Sequence, residues 1–274
     1  MLCHLTILWW PLAAKPGTII LMNTVLEIQG MKLVFPIRVH RATSLRDVFV
    51  RVLTKPLETL LTAPQKLELI NDLNLTVKRG DRIALMGVNG AGKTSLCRVI
   101  AGFYRPTKGK ITVNGKTRAI FDTMVGIYPE LTGRENAGIL SSFLYPEMTD
   151  RKAKLQEALE FSELGSFLET PFKYYSNGMQ ARICLSVLTM EPTDLLILDE
   201  VFEGADQFFR ERIAIRVLKM IKESGAVIFV SHSEDQLRRV CNRAVVINQG
   251  TIGFDGPLEE GMKYYAEAGR PLNT

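Results

Sequence analysis

Eight residues constrain this chain more than any others. Gly87–Thr94, GVNGAGKT, fit the spacing G-x-x-x-x-G-K-[ST]. The context is the one the pattern needs: the apolar run RIALMG reads as a strand before it, and KTSLCRVIAG reads as a helix after it. Glycines let backbone N–H groups turn toward phosphate oxygens with no Cβ in the way. The helix that follows presents about half a positive charge at its N-terminus, aimed at the same anion. Lys93 is spaced to reach the β- and γ-phosphates of a nucleotide, and the Thr94 hydroxyl to ligate Mg²⁺. Gly87, Asn89, Gly90, Ala91, Gly92, Lys93, Thr94 and Ser95 are therefore the candidate phosphate-binding residues.

The rest of the chain agrees with an α/β fold. VLEIQGMKLVF reads as a strand, and KLELINDLNLTVKRGD alternates apolar and polar residues before a turn at Gly80. GKITVNGK is a strand running into an Asn-Gly turn. From PELTGREN to about Met190 the pattern is mostly helical, with Thr132 and Glu135 at capping-box spacing and Pro192 closing the last helix. Then DLLILDE and GAVIFVSH read as strands. FFRERIAIRVLKMIKES and SEDQLRRVCN read as helices, and RAVVINQGTIGFDG as strand, turn, strand. Strands alternating with helices at both ends predict a mostly parallel sheet, with an antiparallel β subdomain and an inserted helical lobe over about 124–190.

Composition excludes several other classes. At 274 residues, 46% apolar and 23% charged, the chain suits one large soluble domain. The net charge of +5 is spread through mixed-sign runs, so no nucleic-acid partner is expected. Cys3, Cys97, Cys184 and Cys241 form no CxxC pair, which argues against a zinc site or a disulfide framework. The apolar start, MLCHLTILWWPLAAKPGTIIL, is interrupted by Pro11 and Pro16 and lacks a basic n-region. Residues 1–21 are expected to lie outside a domain spanning 22–274, with a peripheral membrane anchor as the alternative reading. No other stretch is long and apolar enough to cross a bilayer.

Two further places carry chemistry. LLILDE delivers Asp199 and Glu200 to the C-terminal end of a buried strand, where ligands bind in open α/β sheets. Asp199 suits the Mg²⁺ shell through water. Glu200 suits the orientation and polarisation of a water for in-line attack on a γ-phosphate. VIFVSHSED places His232 just after another apolar strand, at the same edge. A lone histidine there is as readily a capping residue, but beside a phosphate loop and an acidic pair it is a candidate for contact with the γ-phosphate or the attacking water.

The order phosphate loop, helical lobe, YSNGMQAR, LLILDE, aspartate, strand-histidine resembles the ATP-binding subunits of ABC transporters over roughly residues 24–255. Tyr175, Ser176, Asn177, Gly178 and Met179 occupy the five places of a signature usually written LSGGQ. The resemblance implies an α/β P-loop ATPase and a homodimer in which ATP and Mg²⁺ lie between two subunits. One subunit supplies the phosphate loop. The other supplies Ser176, Gly178 and the N-terminus of the following helix. Asn177 replaces a glycine and tolerates positive φ better than most residues. Met179 lacks the hydrogen bonds of the usual glutamine. By the same resemblance Phe35 is the aromatic residue that stacks on adenine, with a core phenylalanine as the other reading. Asp206, in EGAD, is the aspartate that contacts the neighbouring subunit. Thr123, beside Asp122, falls where a Mg²⁺-contacting glutamine is usual.

GIYPELTGREN, YSNGM and the basic insert RVHRATSLRDVFVRVLTK narrow the resemblance to ATPases of polysaccharide and polyol-phosphate exporters, the group serving O-antigen, capsule and teichoic acid. That implies ATP hydrolysis coupled to an integral membrane permease, on the cytoplasmic face of the cell membrane. The partner's coupling helix is expected near Tyr128–Asn136. A soluble ABC-type ATPase without a transporter and a small-molecule kinase are the alternatives. The former usually carries two such domains or a long coiled coil, and the latter needs no signature.

Overall fold

The computed structural model describes residues 23–37, 65–121, 127–199, 207–231 and 233–268. Five expectations fall outside these residues: the extension 1–21, the basic insert, Asp122 with Thr123, the pair-member Glu200 with Asp206, and His232.

Two sheets organise the chain. The smaller is antiparallel, in the order β2 (Gln65–Lys78), β1 (Thr24–Ile37), β4 (Lys108–Val113). The larger has six strands in the order β5 (Thr117–Ile120), β6 (Leu195–Asp199), β7 (Ala226–Val230), β3 (Arg82–Met86), β8 (Arg243–Asn248), β9 (Thr251–Pro257). All neighbours in it are parallel except β8 and β9. Strand β7 lies between β3, which leads into the phosphate loop, and β6, which ends in Asp199. The register pairs Asp199 with Val230, so these strands finish together at one edge.

Period-two alternation divides the central strands between two cores. Ile83, Leu85, Leu195, Ile197, Ala226, Ile228, Val245 and Ile247 face the antiparallel sheet and helix α1 (Lys93–Ile100). Ala84, Met86, Leu196, Leu198, Val227, Phe229, Ala244 and Val246 face the helical layer. That layer holds α2 (Gly133–Leu144), α3 (Arg151–Phe161), α4 (Asn177–Leu188), α5 (Gln207–Glu223) and α7 (Leu258–Ala268), with α6 (Glu234–Val240) joining β7 to β8. Burial on both faces explains why LLIL and AVIFV are continuous apolar runs. At about 1.5–3 kcal/mol for each large side chain removed from water, this central sheet is the main source of stability.

Two elements were not expected. The strand β5 is four residues, TRAI, too short for alternation to declare itself. The terminal helix α7 packs on β8 and β9 through Leu258 and Met262, with Phe254 stacked on Tyr264 at 5.6 Å.

The helical layer begins with the expected capping box. The Thr132 side chain accepts from the Glu135 N–H, and the Glu135 carboxylate accepts from the Thr132 N–H at 2.8 Å. Asn136, fully buried, pins the segment before it. Its Nδ2 donates to the carbonyls of Tyr128 (2.9 Å), Leu131 (3.1 Å) and Thr132 (3.0 Å), and its Oδ1 accepts from the Tyr128 N–H at 2.8 Å. Tyr128 itself stays exposed, and, two residues on, Glu130 pairs with Lys173 at 2.7 Å.

Candidate functional site

The phosphate loop is built from backbone. Gly87 has φ 151° and Gly92 has φ 98°. A Cβ on Gly87 would stand 2.6 Å from the Ile247 carbonyl oxygen, and one on Gly92 would stand 3.2 Å from the Leu69 carbonyl oxygen. Gly87 therefore needs glycine for space, while Gly92, the N-cap of α1, needs it mainly for its left-handed conformation. No side chain caps α1, so its first N–H groups remain available for an anion. Val88, Asn89 and Gly90 are exposed at the tip, while Ala91 is buried under it. Lys93 Nζ donates to the carbonyls of Gly87 (2.8 Å) and Val88 (3.2 Å), arching over the loop it is to serve.

Helix α1, which begins with Lys93, Thr94 and Ser95, packs against β6, which ends in Asp199. Asp199 is buried at 6% exposure. Cys97, one turn into α1, reports the same neighbourhood. Burial first and the Asp199 carboxylate second push its thiol well up, while the Lys93 ammonium pulls it back. Cys97 is thus an inert apolar filler beneath the site. The hard oxygen donors of Thr94 and Asp199 suit Mg²⁺, which binds through one or two protein oxygens plus phosphate and water. Among the described residues no group of three acidic, histidine or cysteine side chains could hold a metal ion.

Phe35 is half-buried on β1, paired in register with Leu67 of β2. Two residues further along β2, about 7 Å at strand rise, the Leu69 carbonyl meets the phosphate loop at Gly92. An aromatic ring at Phe35 is therefore within a nucleotide's length of the phosphates. Tyr104 braces it edge-on at 5.5 Å.

The signature region lies in the other layer. Ser176 is the exposed N-cap of α4, and its Oγ accepts from the Met179 N–H at 3.3 Å. Such a hydroxyl keeps its own proton free to donate. The tolerance of asparagine for positive φ is not used at Asn177. Asn177 and Gly178 open the right-handed helix, so Asn177 needs no left-handed conformation. Met179 supplies the capping N–H and packs its side chain on the helical core. Tyr175, the first signature place, is structural: buried, stacked on Phe172 at 5.0 Å, its hydroxyl donating to the Phe167 carbonyl at 2.6 Å. Burial raises its phenol pKa.

Sequence reasoning missed Asn136, whose buried amide orders the Tyr128–Thr132 segment. The signal was there in principle: an asparagine at an apolar position of an amphipathic helix requires buried partners.

A pre-formed anion cradle at the strand edge, with an acidic residue two strands away, defines a P-loop nucleotide-binding ATPase fold. Known proteins agree on that fold. The chain superposes on the ATP-binding cassette MJ0796, solved as a dimer in a post-hydrolysis state with ADP and Pi. The TM-score is 0.64 and the identity 18%, over 85% of this chain and 98% of that one. It also superposes on an ATP-binding subunit of an ABC transporter, with a TM-score of 0.65 and 23% identity over 91% and 96%. Residues 70–203 match the ABC transporter family model. The O-antigen export system ATP-binding protein RfbB of Klebsiella pneumoniae is 32% identical over 248 residues, 90% of this chain and 99% of that protein. RfbE of Yersinia enterocolitica, an O-antigen export ATP-binding protein, is 32% identical over 84% and 96%. The teichoic acids export ATP-binding protein TagH of Enterococcus faecalis is 32% identical over 72% of this chain and 44% of its own length. This chain belongs to the ATP-binding subunits of the ABC transporter family, and it is an ATPase of that family.

Proposed function

We propose that this chain hydrolyses ATP to power export of a cell-surface polysaccharide or polyol phosphate through a partner permease, as a homodimer on the cytoplasmic face of the cell membrane. The observation that carries the dimeric mechanism is the division of labour between the layers. The phosphate loop is pre-formed in one layer, and an exposed, N-capped Ser176 stands at a helix start in the other. The export assignment rests on relatives named for O-antigen and teichoic acid export. The same names disfavour a soluble ATPase with no transporter. Among the described residues no helix is long and apolar enough to cross a membrane, so a partner would form the path.

In this reading the domain spans 22–274, with 1–21 as an extension and a helical lobe at about 124–190. The N–H groups of Gly87–Ser95 and the Lys93 ammonium bind the phosphates, and Phe35 stacks on adenine. Thr94 and Asp199 would hold Mg²⁺, which when bound neutralises charge between the β- and γ-phosphates. Glu200 polarises the attacking water, and His232 steadies it and the γ-phosphate. From the second subunit, the Ser176 hydroxyl and the α4 N-terminus complete the pocket, and Asp206 contacts the neighbour. The permease's coupling helix docks on the Tyr128–Asn136 segment that Asn136 makes rigid.

Glu200→Gln tests the chemistry. General-base assistance contributes roughly 10²–10⁴ in rate, so hydrolysis should nearly vanish while ATP traps a dimer. Unchanged turnover would remove Glu200 from the mechanism. Affinity isolation from membranes tests the coupling. Recovery of an integral permease supports export, and a protein recovered only partner-free in the soluble fraction contradicts it.

A further inference from the structure

Helix α4 ends in an unusual way. The last turn of a helix leaves carbonyls without intrahelical partners, and on most helices a glycine turn or water satisfies them. Here Thr189 and the Met190 N–H serve the Leu185 and Val187 carbonyls, and neighbouring elements add contacts to the helix end and to the residues just beyond it. Tyr145, at the C-terminus of α2, donates its hydroxyl to the carbonyls of Val187 (3.1 Å) and Leu188 (3.0 Å). Arg216, on α5, donates Nε to the Thr189 carbonyl at 3.3 Å. Arg118, on β5, donates to the carbonyl of Glu191. Both guanidinium groups are set against aromatic faces: Arg118 at 3.9 Å from the centre of the Tyr145 ring, Arg216 at 4.5 Å from that of Phe161.

The arrangement is costly for a simple helix end. Arg118 is only 7% exposed, and burial lowers the pKa of both arginines. Fixed cations at a helix C-terminus gain from the dipole, and planar guanidinium groups hold their geometry better than ammonium groups. A second set of contacts supports the same helix, since Glu163 pairs with Arg182 of α4 at 3.8 Å and with Arg212 of α5.

We propose that Arg118 and Arg216 are positioning residues for hydrolysis: they fix the C-terminal end of α4 and thereby the place at which its N-terminal Ser176 meets a second subunit's nucleotide. The inference rests on the composite-site reading above. Helix α4 has 12 residues, a lever of about 18 Å at 1.5 Å per residue. A tilt of about 5° about its anchored end moves Ser176 by roughly 1.5 Å, enough to lose a hydrogen bond. A misplacement of about 1 Å can reduce rate by the order of 10²-fold.

The test uses the full chain with Arg118→Met, Arg216→Gln, Arg216→Lys and Tyr145→Phe. Each is made in the parent and in the Glu200→Gln background. Single-chain affinity is read with a fluorescent ATP analogue, folding by thermal melting, and closure by the protein concentration at which ATP drives dimer formation. Arg118→Met and Arg216→Gln are expected to lower kcat about 10-fold or more. They should raise the dimerisation midpoint about as much and leave nucleotide affinity within about twofold. Tyr145→Phe should show a smaller effect of the same kind, and Arg216→Lys a partial rescue. If Arg118→Met does not melt cooperatively, the half-buried Arg216 and the conservative Tyr145→Phe decide. Variants that close and turn over like the parent overturn the proposal, as do variants that lose affinity and folding in step. If Glu200→Gln with both arginines intact forms no ATP-dependent dimer, the composite-site reading fails and this inference falls with it. If it dimerises and the arginine variants do so equally, the clamp alone is wrong.

Discussion

The phosphate loop and the signature helix start are both helix N-termini, each proposed to meet an anion, yet they are prepared in opposite ways. At α1 the backbone does the work: Gly92 caps in a left-handed conformation, no side chain competes for the first N–H groups, and the loop is wedged against Ile247 and Leu69. At α4 a side chain does it: Ser176 occupies the cap, accepts from Met179, and retains a proton to give. The first end is fixed by its immediate surroundings. The second is exposed: Tyr175 and Met179 seat it locally, and Tyr145, Arg216 and Arg118 brace the helix at its far end. A site that binds ligand within one chain can be rigid at the point of contact. In the proposed reading the second end completes another molecule's pocket while held out into solvent, so its precision depends also on the anchor behind it.

The largest expected break in the comparison is at Gly92. Gly92→Val places a branched side chain where φ is 98° and a Cβ would stand 3.2 Å from the Leu69 carbonyl. ATP affinity of the single chain should fall by about 100-fold or more, read by fluorescent nucleotide titration. Ser176→Ala should separate the two ends: kcat falls about 10- to 100-fold, the loss of one hydrogen bond to a charged group, while single-chain affinity stays within about twofold. An equal loss of affinity would place Ser176 in the same pocket as the phosphate loop of its own chain.

Smaller effects test the scaffold behind the exposed end. Asn136→Ala removes the bonds of a fully buried amide and takes the partner from the Tyr128 N–H, and should destabilise the fold by about 2 kcal/mol, seen in denaturant unfolding. Thr132→Ala removes only the α2 cap and should lower stability by about 1 kcal/mol. The capping box also carries a pH signature. The Thr132 backbone N–H first, and its hydroxyl second, hold the Glu135 carboxyl below its ordinary value. That contribution is present above the unfolded glutamate pKa and is lost as pH falls through the lower folded value. Thermal melts of parent and Glu135→Gln should therefore differ at neutral pH and converge below the usual glutamate range.

How much was legible beforehand follows from what kind of information each element carries. The phosphate loop was legible because its geometry demands glycine and lysine at fixed places. The central strands were legible because LLIL and AVIFV have no other home in a chain of this length, and the Thr132–Glu135 box because a cap is local. TRAI was not, since four residues show no period, yet it carries Arg118. The backbone at Asn177 was not legible from the motif alone: as the first residue of a capped helix it lies in the ordinary right-handed region. Neither the buried amide of Asn136 nor the clamp on α4 was visible, because each exists only once distant segments pack together.

The division between the two ends is tested most directly by complementation. Lys93→Ala disables the phosphate loop and Ser176→Arg disables the signature, so each homodimer alone should be inactive. In a mixed dimer, one pocket combines both lesions, and the other combines an intact phosphate loop from one chain with an intact Ser176 from its partner. Mixing the two inactive proteins and measuring phosphate release should restore ATP hydrolysis if each pocket is shared between chains. If the mixture remains as inactive as its components while mixed dimers demonstrably form, each chain hydrolyses ATP with its own two ends, and the account is wrong.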